Sequence, residues 1–259
     1  MGTVSKALSL MSLFSHTRRE IGLSEVARLA GMNKATAYRL LTELQSAGFV
    51  EQAGNDRSYR LGPEVLRLAA LREAAVPLLS VSREILDRLC GTTQETAHIS
   101  IVKGTQLHAL AHAYSPRHAT RVMMEDSGVL SFHATSSGLA VLAFSEPAFV
   151  NQILDEPLHR FTPETVTDPN AIRDLLDQIR ETGVAESVGG FEAEVHSYAA
   201  PVFGQDQKPM GGLAVAAPVS RMSDALRACI STQISLCAID LTRKIGGFCP
   251  PEYPLEQAE

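Results

Sequence analysis

The chain has 259 residues, 45% hydrophobic and 20% charged, with a net charge of −6. That composition admits two modest globular domains and argues against a disordered chain. No apolar run approaches the ~18 to 20 residues that span a bilayer, and the first residues enter a helical pattern rather than a signal-peptide core, so a cytoplasmic protein without membrane contact is expected.

The predicted elements begin with Val4, Ala7, Leu8, Leu10, Met11 and Phe14, which recur at helical spacing and give a first helix over 4–14. After a polar break at 15–20, residues 23–30 read as a second helix, with Ser24 as N-cap, Glu25 at the positive end and Gly31 closing it. Asn33 caps a third helix over 34–45, whose buried stripe is Ala37, Leu40, Leu41 and Leu44. Ala47-Gly48 ends it, and two short strands, 49–52 and 58–61, follow around a turn at 53–57. Gly62-Pro63 marks a boundary, after which 64–89 is helical in pattern with a break or restart at Pro77.

From Thr93 the period changes to two. Strands are predicted over 95–102 and 105–114, joined at Lys103-Gly104, and again over 120–125, 197–202 and 210–216. Helices are predicted over 136–144, 147–154, 171–182 and 223–244. The expected organisation is an α+β chain: a first domain over 1–62, a linker helix over 63–77, an α/β domain over 78–248 and a tail over 249–259.

Charge divides along the same line. Residues 1–72 carry 10 Lys+Arg against 6 Asp+Glu, whereas the remainder carries 13 against 23. Only the first part has the sign that a polyanion favours. Its pattern is that of a winged helix-turn-helix, in which a small residue (Ala27) and a glycine turn (Gly31) let two helices cross closely while the outer face of the next helix enters the major groove. The candidate DNA-contacting residues are Asn33, Lys34, Ala35, Thr36, Tyr38 and Arg39 on that helix and Arg57 on the hairpin tip, with Arg18 and Arg19 as further phosphate contacts. Such a unit also serves as a protein-interaction module, but the charge split favours double-stranded DNA.

Several stretches together resemble one family. They are Val4-Ser5-Lys6-Ala7-Leu8-Ser9-Leu10, Leu23-Ser24-Glu25-Val26-Ala27, Asn33 to Leu41, Gly48-Phe49-Val50-Glu51 and Tyr59-Arg60-Leu61-Gly62, followed downstream by Phe132 to Ala140, Ile179 to Gly183 and Ala199-Ala200-Pro201-Val202. In that order they resemble the IclR family of bacterial transcription regulators, over about residues 3 to 247. The resemblance implies a GAF-like effector-binding domain, a curved antiparallel sheet with helices on both sides enclosing a small organic ligand. It places the effector pocket at Val122, Ser136, Ser137, Gly138, a loop near Ser187, Val195, Ser197, Ala214 and Ala216. A helix start at Ser136 offers backbone N–H groups to a carboxylate, and alternate strand residues share one face, so a small anionic metabolite or aromatic acid is the expected effector. Leu139 stands where the family commonly has lysine, Val188-Gly189-Gly190 where acidic residues are common, and Glu194 where glycine is common.

The remaining chemistry-bearing residues point elsewhere only weakly. His98, His108 and His112 share the first predicted hairpin, but strand positions i and i+4 lie about 13 Å apart, too far to share one ion without a bend. His133 reads as a loop-bonding residue. Cys90, Cys229, Cys237 and Cys249 lack any C-x-x-C spacing, which argues against a disulfide framework, a zinc ribbon or a redox pair. No G-x-S-x-G or other nucleophile signature supports an enzyme, and no motif implies a cofactor. A regulator answering to metal or to a protein partner stays open beside the metabolite sensor. Half-sites about a helical turn apart suit a two-fold dimer, with the first helix and Leu66, Leu68, Leu71 and Val76 as expected contacts. The resemblance adds pairing of dimers into tetramers.

Overall fold

The computed structural model describes residues 2–14, 18–53, 57–75, 78–124 and 128–254. It divides into two compact units, Met1–Val76 and Pro77–Glu259.

The first unit contains α1 (Thr3–Met11), α2 (Leu23–Leu29), α3 (Lys34–Ser46), β1 (Val50–Ala53), β2 (Ser58–Leu61) and α4 (Pro63–Ala75). Its core is Leu10, Ile21, Val26, Ala27, Ala37, Leu40, Leu41, Val50 and Tyr59, so the buried stripe of α3 is the apolar stripe of its sequence. Asn33 caps α3 by accepting the Thr36 N–H at 2.8 Å. Ser24 is not the cap of α2: the N-cap is Gly22, and Ser24 lies inside the first turn. The cause is upstream, where Ile21 bridges antiparallel to Tyr59 through two 2.9 Å bonds and so sets where the helix begins. Gly31 makes the turn between α2 and α3 at φ 61°, a left-handed conformation that glycine adopts without strain. The first helix ends at Met11, short of the expected 14.

The second unit is built on six antiparallel strands in the order β5-β4-β3-β8-β7-β6. In chain order it runs α5 (Leu78–Thr93), β3 (Thr96–Lys103), β4 (Gln106–Ala113), β5 (Val129–Leu130), α6 (Ser136–Ala143), α7 (Pro147–Leu154), α8 (Pro169–Thr182), β6 (Ala185–Val188), β7 (Val195–Phe203), β8 (Pro209–Pro218) and α9 (Asp224–Lys244). On one face α5 and α9 pack Ile85, Leu86, Leu89, Ile230, Ile234 and Leu241 against Leu213 and Val215. On the other, α6 and α8 set Leu142, Ile172 and Leu176 over Leu107, Ala185, Ala199 and Ala214. All eight residues of α6 are buried, as expected of a helix between sheet and outer helices. The small side chains of Ala199 and Ala214 let it lie close to the sheet, and Gly138 permits its start: a Cβ there would stand 2.3 Å from the Phe132 Cα.

Three expectations are corrected. Residues 120–124, expected to open a strand, have no strand structure, while residue 125 lies outside the described residues. Side chains occupy the backbone groups a ladder would use: Arg221 donates to the Thr120 carbonyl at 3.1 Å, Thr96 to the Val122 carbonyl at 2.9 Å, and the Met124 N–H donates to the Tyr114 hydroxyl at 2.8 Å. The segment around Ser187, expected as a loop, is the edge strand β6, with Ser187 opposite Ser197. The supposed tail packs back, since Tyr253 is buried beside Phe203 and Ile239. Among the described residues, no helix is long and apolar enough to cross a membrane.

Candidate DNA interface and ligand cavity

Burial of Ala37, Leu40 and Leu41 turns the opposite face of α3 outward. Asn33, Lys34, Ala35, Tyr38 and Arg39 are exposed there, and Tyr38, a large aromatic, leaves 54% of its surface open. Thr36 is the exception: it is half-buried, and its N–H is held by the Asn33 cap, so Asn33 and Thr36 serve the helix start first. Thr42 was missed. It is exposed one turn beyond Tyr38 and Arg39, and its hydroxyl donates to the Tyr38 carbonyl at 2.9 Å. Its position at i+4 from Tyr38 was the available signal.

Arg57 is exposed at φ 57°; residues 54–56 of the expected hairpin turn lie outside the described residues. Arg60, by contrast, meets Glu51 at 2.7 Å and Glu20 at 3.8 Å, so its charge is answered within the unit. Lys34 and Arg39 add cationic groups to a face of small and hydroxylated side chains, a surface able to approach base edges and bond phosphates.

In the second unit a cavity of about 890 Å³ opens where the first turn of α6 faces β3, β7 and β8. Val122, Ser136, Ser137, Ser187, Val195, Ser197 and Ala216, seven of the nine candidate effector residues, line it together. The other two do not. Gly138 is occupied by its approach to the Phe132 backbone and by donating its N–H to the Thr135 hydroxyl at 3.1 Å. Ala214 shares a strand face with Ala216 but lies in the core with α6 residues, fully buried. Leu139 belongs to the same core, which accounts for an apolar residue at that position.

The serines tie the cavity wall together. Ser136 donates to the Ser197 hydroxyl at 2.8 Å, joining α6 to β7, and Ser187 donates to the Ala134 carbonyl at 2.9 Å. The loop beyond β6 is anchored by Thr162 and Thr165, whose hydroxyls donate to the carbonyls of Gly189 and Gly190, each at 2.6 Å.

Several lining residues were not foreseen, among them His98, Arg121, Phe191, Glu192 and Glu194. His98 lies opposite Ala214 in the β3–β8 register, a pairing that only the assembled sheet defines. Its ring is buried, with Nε2 3.3 Å from the Ser137 hydroxyl and Nδ1 without a hydrogen-bond partner. Burial first, and the neighbouring His112 second, push its pKa down to about 4, so the imidazole is neutral at pH 7.

The three hairpin histidines do not converge. His98 and His112 are cross-strand partners, but a register shift between Ile99 and Ser100 displaces the pairing, and His108 sits opposite Ile101 with Gln106 as its partner at 3.2 Å. Among the described residues no group of three His, Cys, Asp or Glu side chains could hold a metal. His133 bonds the Ser131 hydroxyl at 3.0 Å and the His159 carbonyl at 2.9 Å, and burial lowers its pKa. It ties two loops together.

These two units match two family models: the IclR helix-turn-helix domain over residues 3–54, and the bacterial transcriptional regulator IclR C-terminal domain over residues 72–243. The chain is 60% identical to an IclR transcriptional regulator from Silicibacter sp. TM1040, whose crystal structure superposes with a TM-score of 0.91, covering 98% of this chain and 100% of the other. It is 30% identical over 241 residues to the HTH-type transcriptional regulator BhcR of Paracoccus denitrificans, covering 92% of this chain and 85% of that protein. An IclR homolog from Microbacterium hydrocarbonoxydans, solved in complex with 4-hydroxybenzoate, shares the fold at 24% identity with a TM-score of 0.82, covering 94% and 100% of the two chains. The chain therefore belongs to the IclR family of bacterial transcriptional regulators, with a DNA-binding helix-turn-helix ahead of a C-terminal α/β domain.

Proposed function

We propose that this protein is a cytoplasmic operator-binding regulator whose affinity for DNA is set by a small organic acid held in the C-terminal cavity. The observation that carries the reading is the cavity itself. It joins a hydroxyl-rich wall at Ser136, Ser137, Ser187 and Ser197 to apolar surface from Val122, Val195 and Ala216, in a size suited to a metabolite. The 4-hydroxybenzoate complex of the Microbacterium homolog supports an acid, aromatic or aliphatic, as the ligand class.

On the DNA side, Lys34, Ala35, Tyr38 and Arg39 face the major groove, Asn33 and Thr36 hold the helix start at the backbone, and Arg57 reaches the adjoining backbone or minor groove. The regulator works as a two-fold dimer. Exposed apolar side chains on α1 (Val4, Leu8) and on α4 (Leu66, Leu68, Leu71) supply its contact surface; Val76, the remaining expected contact, lies outside the described residues. A ligand moves the switch only through different affinities for the DNA-competent and DNA-released arrangements.

The test is DNA binding by the purified protein, on operator fragments selected from a random pool, with and without small carboxylates, aromatic acids and divalent metals. A shift in DNA affinity with one acid class, matched by a raised thermal midpoint, supports the reading. A response to metal alone, or to none of these, transfers it to a metal- or partner-controlled regulator.

A further inference from the structure

We propose that a groove beside the ligand cavity is a second small-molecule site, one that takes an organic cation: an ammonium or amidinium group carried on an apolar frame. The site stands apart from the acid-sensing reading and does not depend on it.

The groove encloses about 460 Å³ between the end of α7 and the segment 129–133. Its wall is aromatic. Phe161, 40% exposed, has its ring centroid 4.7 Å from that of His159 and 4.6 Å from that of Phe191, and Phe132 and His133 line the groove with them. Apolar side chains exposed singly need no explanation, whereas apolar surface gathered in a concavity marks an interaction site.

Electrostatics choose the guest. Glu156 lines the groove, exposed, and no Lys or Arg among the described lining residues answers it. Gln152 and Ile153, from the last turn of α7, line it too, and that turn carries no basic residue, so the negative end of the helix adds to the same sign. Arg160, the nearest Lys or Arg along the chain, is held elsewhere: its guanidinium donates to the carbonyls of Pro163 and Thr165, each at 3.1 Å, and to the Thr167 hydroxyl at 2.9 Å. His133 has no free ring nitrogen to offer an anion, since one meets the Ser131 hydroxyl and the other the His159 carbonyl.

A cation satisfies both features at once. Ring faces attract it through their quadrupole, and the carboxylate pairs with it through charge-assisted hydrogen bonds. An anion would face Glu156 and the helix end, and a neutral apolar guest would cover the carboxylate without pairing it. Val129, Leu130 and Phe191 line both the groove and the larger cavity, so a guest in the groove rests against the wall of that cavity.

The experiment is calorimetric titration of the full-length protein at pH 8, above the ordinary range of histidine, with benzamidinium, benzamide and benzoate, three probes of nearly one shape and different charge. Methyl spectra of protein labelled at Ile and Met place the binding, because Ile153 lines the groove and Met123 and Met124 line the larger cavity. Benzamidinium is expected to move the Ile153 methyl and to bind about tenfold or more tighter than benzamide, the worth of one hydrogen bond to a charged group, with benzoate weakest. Glu156→Gln should bring benzamidinium to the level of benzamide, and Phe161→Leu should weaken it by about threefold. A preference for the cation that survives Glu156→Gln overturns the assignment, as do shifts confined to Met123 and Met124, equal binding of the three probes, or binding of none. An Ile153 methyl that moves on dilution of the protein without any probe gives the groove to a second copy of the chain and overturns it as well.

Discussion

The two units use their polar residues in opposite ways. In the first, the residues assigned to DNA stand outside the core: Tyr38 and Arg39 are exposed, and the core that α3 shares with its neighbours does not include them. In the second, the polar groups that line the cavity are part of the packing: Ser136, Ser137, Ser197 and His98 are all buried, and bonds between them join helix to sheet. An outer face can change its reading without endangering the fold, whereas a buried wall cannot change its ligand without re-satisfying its neighbours. Binding and stability should therefore separate under mutation in the first unit and travel together in the second.

The largest expected effect lies beside the cavity. Glu95 is buried and paired with Arg221 at 2.5 Å, and Arg221 also holds the Thr120 carbonyl. Arg221→Ala leaves that carboxylate buried and alone, and should lower the unfolding free energy by about 3 to 5 kcal/mol in denaturant titration. An effect under about 1 kcal/mol, as for a surface pair, would break the contrast.

Next comes pH. The folded-state pKa of His98 is depressed to about 4, so the unfolded chain binds the proton more readily. This contribution is therefore present above the unfolded value of about 6.5 and is lost as pH falls from there toward the folded value, by on the order of 3 kcal/mol. Burial of His133 acts in the same direction. The acid limb of stability against pH should be shallower in His98→Phe than in the wild type.

On the outer face the expectation reverses. Arg39→Ala should weaken specific operator binding by ~1 to 3 kcal/mol if it reads a base, while stability stays within about 0.5 kcal/mol. A uniform loss on all sequences with a smaller salt slope would assign Arg39 to phosphate. The smallest effect expected is at Asn33. Removing the cap with Asn33→Ala should cost ~1 kcal/mol of stability, and DNA affinity should follow only as far as the start of α3 frays.

Local rules carried much of this protein. Helical spacing set the stripe Ala37, Leu40 and Leu41, the cap at Asn33 needed only a short polar side chain ahead of that stripe, and strand alternation located β3, β4, β7 and β8. The charge division between residues 1–72 and the rest pointed to the DNA-binding end, and the ordered motifs pointed to the family. Each depends on neighbours a few residues apart.

What the sequence could not show depends on partners far along the chain. The start of α2 is set by Ile21 meeting Tyr59, 38 positions on; the path of 120–124 is set by Arg221, Thr96 and Tyr114; Tyr253 is packed against Phe203. A register shift in one hairpin separated His108 from His98 and His112, and the β3–β8 pairing brought His98 to the cavity. Sequence pattern can say which face a residue prefers. Only the packed sheet decides which distant side chain waits there, because strand register and burial are set jointly by both partners.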